Sequence, residues 1–89
     1  MLERQLENKL KATVTRLGGV VYKLDAKANK GVPDRVVALP GRTPFFIELK
    51  TETGRVSPLQ AHEHERLRKI GQRIVVAYGW QEIEDALTA

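Results

Sequence analysis

Three side chains in the middle of the chain have the types and spacing of a hydrolytic metal site. Asp34 follows Gly-Val-Pro at 31–33, and Glu48 and Lys50 alternate with apolar residues in the segment Phe-Phe-Ile-Glu-Leu-Lys at 45–50. Residues two apart on a strand share a face, so Glu48 and Lys50 are predicted to point the same way. If the two segments pair as a hairpin, Asp34 joins them. Two carboxylates and an amine around one point suit a divalent cation and an attacking water.

The same residues also allow a simpler interpretation. An exposed hairpin face that carries an ordinary ion pair shows alternating charge too, and the alternation alone does not separate the two cases. The preceding residues favour the site, because Pro33 holds Val32 extended and fixes where Asp34 enters its strand. In such a site Lys50 would orient or help to deprotonate the water and would offset charge that builds on phosphorus.

Additional candidate groups lie on helices before and after this hairpin. Glu3 and Glu7 are four residues apart and share a helix face, so either is a candidate third carboxylate. The alternative is that both are solvated and that Glu7 pairs with Lys11. Gln60, in the first turn of a later helix, is a candidate to hydrogen-bond the scissile phosphate or the water.

Histidines and loop cations complete the set of candidates. His62 and His64 are two apart on a helix and face different directions, so they make a poor joint metal site. His64 is expected to flank the cleft at best, and both are predicted to be surface residues. Cations in loops beside the site are candidates for phosphate contacts without base readout, although each also fits a merely soluble surface. The candidates for DNA binding are Lys27, Lys30, Arg35 and Arg55.

The elements that must position these groups follow from periodicity and turn residues. Apolar residues at helical spacing predict an amphipathic helix over 2–17, and Gly18-Gly19 ends it. Residues rich in β-formers predict strands at 20–24, 35–39, 43–50 and 73–78, the middle two joined as an antiparallel hairpin by the turn at 40–42. Residues 25–30 are polar and predict a loop. Ser57-Pro58 predicts the start of a second helix that ends before Gly71, and 80–87 predict a short last helix.

Size and composition limit the possible classes of protein. The chain has 89 residues, no cysteine and a net charge of +4, which predicts one α/β domain without disulfide or zinc-thiolate chemistry and fits a polyanion partner. The longest apolar runs are far short of a membrane span, and a cytoplasmic protein is expected. Small size favours oligomerisation, and the apolar residues Trp80, Ile83 and Leu87 of the last helix are predicted to contribute to a subunit contact.

At these residues the sequence resembles the PD-(D/E)xK nuclease superfamily and, within it, the virus-type replication-repair nuclease (VRR-NUC) family. The resemblance runs nearly end to end, over residues 1–89 as a single domain. The segments that carry it are the helix with Glu3 and Glu7, Gly31–Asp34, Phe46–Lys50, Gly54–Gln60 and Leu67–Gly71. Glu-x-Lys alone is a weak pattern, but Gly-x-Pro-Asp before it and Ser-x-x-Gln after it make the combination specific.

The resemblance implies a Mg²⁺- or Mn²⁺-dependent phosphodiesterase on a restriction-endonuclease-like fold, α-β-β-β-α-β with a short terminal helix and a mixed four-stranded sheet. It implies that Asp34, Glu48 and the backbone carbonyl of Leu49 bind the metal. Lys50 would be the catalytic lysine and Gln60 the active-site glutamine of the family.

The resemblance leaves two candidates for the carboxylate of the first helix. Superfamily spacing to the glycine that ends the helix favours Glu7, and the VRR-NUC habit of an early glutamate favours Glu3. Glu7 is the predicted choice, with Glu3 as the alternative.

The minimal stand-alone relatives are phage or prophage proteins, which implies a homodimeric, structure-specific endonuclease in the host cytoplasm. Its expected substrate is branched DNA, including four-way (Holliday) junctions, because a two-fold dimer supplies paired sites for two symmetric cuts. The alternatives are a catalytically silent DNA-binding or architectural module, and a nuclease of flaps, linear DNA or RNA. No membrane partner and no small-molecule cofactor are expected.

Overall fold

The computed structural model describes residues 1–25, 27 and 29–89, and within this part the chain forms three helices and four strands. Their bounds are α1 Glu3–Arg16, β1 Val20–Lys23, β2 Arg35–Ala38, β3 Phe45–Lys50, α2 Pro58–Lys69, β4 Ile74–Tyr78 and α3 Trp80–Thr88. The predicted order and α/β class are confirmed. The predicted loop at 25–30 includes residues 26 and 28, which lie outside the described residues.

The strands form one mixed sheet in the order β1-β2-β3-β4. β1 pairs with β2, and β2 with β3, in antiparallel orientation, whereas β3 and β4 are parallel. The tight turn between β2 and β3 contains Gly41 at φ +69°, and α2 makes the crossover that a parallel pair needs. The predicted hairpin therefore exists, and its register decides which side chains meet at its open end.

The hydrophobic core lies on one face of the sheet, beneath α1 and α3. Both helices contact the strands and each other. The core side chains from the helices are Leu6, Leu10, Val14, Ile83, Ala86 and Leu87, and those from the strands are Val37, Phe45, Ile47, Leu49 and Ala77. Because side chains alternate along β3, burying Ile47 and Leu49 here turns Glu48 and Lys50 to the opposite face.

The opposite face of the sheet is only partly covered. α2 packs on β4, and its buried residue, His64, faces Glu48 on β3. Farther along the sheet, Val20 and Tyr22 of β1 remain 46% and 60% exposed. This second face therefore carries the polar end of the hairpin next to α2 and an exposed apolar strip at β1.

The predicted role of the last helix in a subunit contact is wrong. Ile83 and Leu87 are 0% and 4% exposed, because α3 turns its apolar side onto β4 and α1. Trp80 packs against the same core, with Lys9 Nζ 4.3 Å from the centroid of its ring. No helix in the described part of the chain has both the length and the apolar character needed to cross a membrane.

Candidate active site

The register of the β2–β3 hairpin brings Asp34 and Glu48 face to face. Arg35, the first residue of β2, pairs with Ile47, and continuing this antiparallel register by one residue puts Asp34 opposite Glu48; the charge of Asp34 acts on Glu48 accordingly. Residues directly opposite in such a ladder have Cβ atoms only about 5 Å apart. The convergence expected from the sequence is therefore present in the backbone.

The segment before Asp34 is held in place by close packing against the start of α2. Gly31 has φ +87°, and a Cβ at this position would lie 2.7 Å from the backbone oxygen of Leu59. Pro33 is fully buried, and the backbone oxygen of Asp34 accepts a hydrogen bond from Leu24 N at 2.7 Å. Glycine is required here both for its backbone conformation and for the close approach, and together these contacts fix Asp34 at the strand entrance.

Glu48 is a buried acid with a strongly raised pKa. Its side chain is 5% exposed, and burial together with the negative charge of Asp34 raises its pKa from the usual 4.5 to about 7. Glu3 raises the pKa further, whereas Lys50 and Arg35 lower it. A buried carboxyl beside another carboxylate is the arrangement that a bound cation would stabilise in its ionised form.

Buried polar atoms without a hydrogen-bond partner are concentrated at this end of the hairpin. In the part of the chain that the structure describes, they are Asp34 Oδ1, Arg35 Nη1, Glu48 Oε1 and His64 Nε2. Arg35 Nη1 nevertheless makes ion-pair contact with Asp34 Oδ2 at 2.6 Å. Native proteins bury few such atoms, and their concentration in one cluster is typical of a site that binds a ligand or ion.

Arg35 links the hairpin to the first helix. Its guanidinium is 4% exposed and lies 2.6 Å from both Asp34 Oδ2 and Glu7 Oε2. The hydrogen bond from Arg35 lowers the pKa of the Glu7 carboxyl, which keeps it ionised. Glu7 thus pairs with Arg35, rather than with Lys11, and Glu3 is the acid of this helix whose charge acts on Glu48.

Lys50, Leu49 and Gln60 occupy three different environments. Lys50 is partly exposed beside Glu48, whose pKa it lowers, while its own backbone oxygen accepts a hydrogen bond from Gly79 N at 3.0 Å. Leu49 lies between Glu48 and Lys50 in the chain, and its side chain is fully buried. Gln60 closes a capping box, because its Oε1 accepts from Ser57 N at 2.9 Å and Ser57 Oγ accepts from Gln60 N at 3.1 Å.

His64 is the residue of the site that sequence reasoning missed. It was expected on the surface, but it is 2% exposed, and its Nε2 lies 3.8 Å from Glu48 Oε1. Burial, then the charges of Arg68 and Lys50, lower the pKa of the imidazole. The available signal was spacing, because His64 follows Gln60 by four residues and lies on the same face of α2. His62 is exposed, as predicted.

The predicted DNA-binding cations divide into two groups. Lys27, Lys30 and Arg55 are exposed. Arg35 is 3% exposed, and its guanidinium forms ion pairs with the carboxylates of Glu7 and Asp34. The prediction that it contacts a phosphate is therefore wrong. The sequence did not show this because the environment of Arg35 depends on its ion pair with Glu7, which lies on α1, a distant segment of the chain.

The residues present fit a hard divalent cation with few protein ligands. Within residues 1–25, 27 and 29–89, no group of three or more His, Cys, Asp and Glu side chains is arranged to enclose a metal ion. Two converging carboxylates are nevertheless what Mg²⁺ commonly uses, because it keeps several waters and takes its other ligands from a phosphate. The all-oxygen pair of Asp34 and Glu48 also matches the preference of Mn²⁺.

Comparisons with known proteins establish the family of the chain. No family model matches the chain. A protein of Acyrthosiphon pisum secondary endosymbiont phage 1, described as "Putative nuclease p44", is 38% identical over 74 residues, which are 83% of this chain and 80% of that protein. A solved structure described as "VRR_NUC domain" superimposes with a TM-score of 0.86 at 32% identity and covers 97% of this chain and 94% of its own. The chain therefore belongs to the VRR-NUC family and has its restriction-endonuclease-like fold.

Proposed function

We propose that this VRR-NUC nuclease is a Mg²⁺- or Mn²⁺-dependent endonuclease that hydrolyses phosphodiester bonds in branched DNA, four-way junctions above all, as a homodimer. One observation carries the catalytic part of the proposal. Asp34 and Glu48 lie opposite each other, each with one buried oxygen that has no hydrogen-bond partner in the described part of the chain, and Lys50 lies on the same face of β3 as Glu48.

The proposed metal ligands are Asp34, Glu48 and the backbone carbonyl of Leu49. Their support is the oxygen chemistry of the set and the two orphaned carboxylate oxygens, Asp34 Oδ1 and Glu48 Oε1. Glu3 is the proposed acid of the first helix, because its charge acts on Glu48. Glu7 contributes instead through its ion pair with Arg35.

The proposed reaction is hydrolysis that leaves a 5′-phosphate. A bound divalent cation supplies Lewis acidity toward the phosphate and lowers the pKa of water. Lys50 orients the attacking water and offsets the negative charge that develops on the phosphate oxygens. The oxygen of the water bonds to phosphorus as the bond to the 3′ oxygen breaks; overall, one proton of the water is lost and one is taken up by the 3′ oxygen, which leaves as a hydroxyl. Gln60, whose Oε1 is held by Ser57 N, keeps its amide nitrogen free to donate to the phosphate.

DNA is the proposed polyanion. The chain has a net charge of +4 although its candidate site is acidic, so the surface outside the site is more basic than the total suggests. Lys27, Lys30 and Arg55 are exposed and are proposed to contact phosphates on either side of the site. Such contacts carry no base readout, which suits an enzyme that recognises the shape of a junction.

The homodimer is proposed from the symmetry of the substrate and from an exposed apolar surface. One site cuts one strand, whereas resolving a four-way junction takes two symmetric cuts. With α3 buried in the protomer core, the exposed side chains Val20 and Tyr22 on the edge strand β1 supply the apolar surface that supports pairing.

A second candidate is a DNA-binding module without catalysis. The chain would then bind branched DNA through its basic surface and leave the hairpin acids unused. The intact set of Asp34, Glu48, Lys50 and Gln60 favours the enzyme, because a binding module has no need for a costly buried acid pair.

A cleavage panel tests the function. Labelled four-way junctions, flaps, splayed arms, linear duplex and RNA of matched sequence are incubated with Mg²⁺, Mn²⁺ or a chelator. We expect metal-dependent products carrying 5′-phosphates, with the junction cut fastest. Binding of the junction without cleavage under any metal condition would contradict the proposal and favour the binding module.

Variants identify the residues responsible. Asp34→Asn and Lys50→Met should each reduce cleavage by roughly 10²-fold or more, since each removes a group that acts on the charge of the transition state. Lys69→Met is the control, because Lys69 is an exposed lysine in the last turn of α2 and forms a surface ion pair with Glu65. Junction binding should persist in all three proteins, and full cleavage by Asp34→Asn or Lys50→Met would refute the assigned site.

A further inference from the structure

His64 is a polar residue at a buried position, where an apolar side chain would have a lower desolvation cost. It is the buried residue of α2, and it lies against the sheet at 2% exposed. An imidazole nitrogen that is buried without a partner carries a desolvation cost that leucine in the same contact would avoid. The side chain is therefore expected to gain a hydrogen bond in some state of the protein.

The partner is identified by geometry. His64 Nε2 and Glu48 Oε1 are 3.8 Å apart, and within the described chain neither atom has a hydrogen-bond partner. Hydrogen bonds of this kind span about 2.7–3.2 Å, so a shift of well under 1 Å at either side chain would form one. The two orphaned atoms can satisfy each other.

A neutral imidazole is a suitable donor to Glu48, because it carries one N–H and no net charge. Burial and the nearby charges of Arg68 and Lys50 lower the pKa of the ring. A neutral donor orients a carboxylate without placing another positive charge beside a bound cation. Arg35, which holds Asp34, already contributes one such charge.

We propose that His64 is a positioning residue for Glu48: its Nε2–H donates to Glu48 Oε1 and turns Glu48 Oε2 toward the cation. The inference rests on the proposed metal-dependent function. His64 touches neither metal nor DNA in this arrangement. It acts through Glu48, as the partners of ligating carboxylates generally do.

The test is Mn²⁺ binding measured by calorimetry on the full chain without DNA, independently of cleavage. His64→Leu keeps the apolar packing and removes the donor, and His64→Gln keeps a donor. His62→Leu is the matched control, because His62 is exposed on the same helix. We expect His64→Leu to weaken Mn²⁺ binding by roughly 10-fold, the low end for loss of such a partner, and the other two variants to bind within about 3-fold of wild type.

The outcomes separate this inference from the function on which it rests. If wild type fails to bind Mn²⁺, the proposed metal site fails. If wild type binds and Asp34→Asn does not, but His64→Leu binds as tightly as wild type, only the role of His64 is overturned. Equal weakening by His64→Gln and His64→Leu would also overturn it, since the donor would then be irrelevant.

A second measurement covers the case in which His64→Leu does not fold. Nitrogen NMR of the imidazole in wild type reports the tautomer and the hydrogen bond directly during titration with diamagnetic Mg²⁺. We expect the Nε2–H tautomer and a downfield shift of that proton as Mg²⁺ binds. An Nδ1–H tautomer, or a proton resonance that does not move while backbone signals at Glu48 do, would overturn the proposal.

Discussion

Asp34 and Glu48 face each other across the hairpin, but their surroundings differ. Asp34 is paired with the guanidinium of Arg35 at 2.6 Å, whereas the ion-pair contact of Glu48 in the described chain is with His64 Nε2 at 3.8 Å, and the charges of Lys50 and Arg35 offset its burial only in part. Burial of the Glu48 carboxyl is therefore not fully offset by nearby positive charge, and its pKa is raised to about 7. In the proposed metal site, Glu48 is therefore the acid whose ionisation would depend most on the cation.

The raised pKa of Glu48 predicts that metal-free protein loses stability as the pH rises. Between pH 4.5 and about 7 the folded chain holds a proton that the unfolded chain has released, so the free energy of unfolding falls across this range. Glu48→Gln removes the effect. We expect the variant to match wild type at pH 5 and to exceed it by about 2–3 kcal/mol at pH 8.

Urea unfolding in the presence of a chelator, at pH 5 and pH 8, checks this prediction. Glu65→Gln is the control, since Glu65 is 68% exposed and forms only a surface pair with Lys69. A surface substitution of this kind is expected to change stability by less than about 0.5 kcal/mol at both pH values. A stability difference between Glu48→Gln and wild type that does not change with pH would contradict the raised pKa.

The Glu7–Arg35–Asp34 chain predicts a large stability cost for loss of its central cation. Arg35→Met leaves two carboxylates that are 37% and 26% exposed without their counter-ion. Because they are partly solvated, we expect a loss of about 2–4 kcal/mol, somewhat below the cost for a fully buried pair. Arg4→Met, at an exposed position of α1, should leave the urea midpoint nearly unchanged. Equal midpoints for the two variants would show that the chain of charges contributes nothing.

At the residue scale, sequence reasoning identified groups whose position follows from local geometry. Period-2 alternation placed Glu48 and Lys50 on one face, and Pro33 fixed the entry of Asp34. It missed His64 and misread Arg35, because the burial of each depends on a helix that crosses the sheet from a distant part of the chain. Burial of a polar side chain is a property of tertiary packing and leaves little trace in spacing.

At the element scale, the structure shows why the loop before β2 must approach α2. Gly31 packs against the backbone of Leu59, in the first turn of the helix that also carries Gln60 and His64. The Ser57–Gln60 capping box fixes where that helix begins. The hairpin and α2 are thereby set relative to each other by backbone contacts at the mouth of the site.

Gly31→Ala is therefore predicted to reduce activity as well as stability. The added Cβ would lie 2.7 Å from Leu59 O at a φ of +87°, so the loop must move away and carry Asp34 with it. Gly71→Ala is a closely matched control, because its φ is +89° and the added Cβ meets no atom of the described residues within 4 Å. The control should lose about 1–2 kcal/mol from backbone strain alone.

Unfolding and cleavage measured on both variants separate strain from displacement. We expect Gly31→Ala to lose more stability than Gly71→Ala and to cut at least about 10-fold more slowly, because small misplacements of reacting groups are costly in rate. Gly71→Ala should cut like wild type. The same cleavage rate in the two variants would mean that the contact between the loop and α2 does not position Asp34.

The elements themselves were largely predictable because their signals are local. Ser57-Pro58 predicted the start of α2, and the structure shows the capping box that serine makes there. The turn at 40–42 predicted the hairpin, confirmed by the antiparallel pairing of β2 and β3. The function of α3 was misread, because an amphipathic helix does not reveal whether its apolar side faces its own core or another subunit.

At the scale of the whole molecule, the two faces of the sheet have different roles. One face is closed by α1 and α3 and holds the core, including Val37 and Ile47. The other carries the acids beside α2 and, toward β1, the exposed side chains of Val20 and Tyr22. A partner that covers this apolar strip would sit on the same side of the sheet as the candidate active site.

If two copies pair through this strip, a charge placed in it should separate them. Tyr22 is 60% exposed, so Tyr22→Lys costs little in the monomer, but in a dimer it would bury an ammonium group without a counter-ion. We expect a dimer dissociation constant at least about 10-fold weaker, a difference of 1.4 kcal/mol. The separated protomers should still nick junctions but should no longer cut both strands in one encounter. Ile70→Lys, at a residue that is 70% exposed and directly follows α2, should remain dimeric. Light scattering at the assay concentration tests both claims. A monomeric wild type would overturn the dimer, and a dimeric Tyr22→Lys variant would show that the subunit contact lies on another surface.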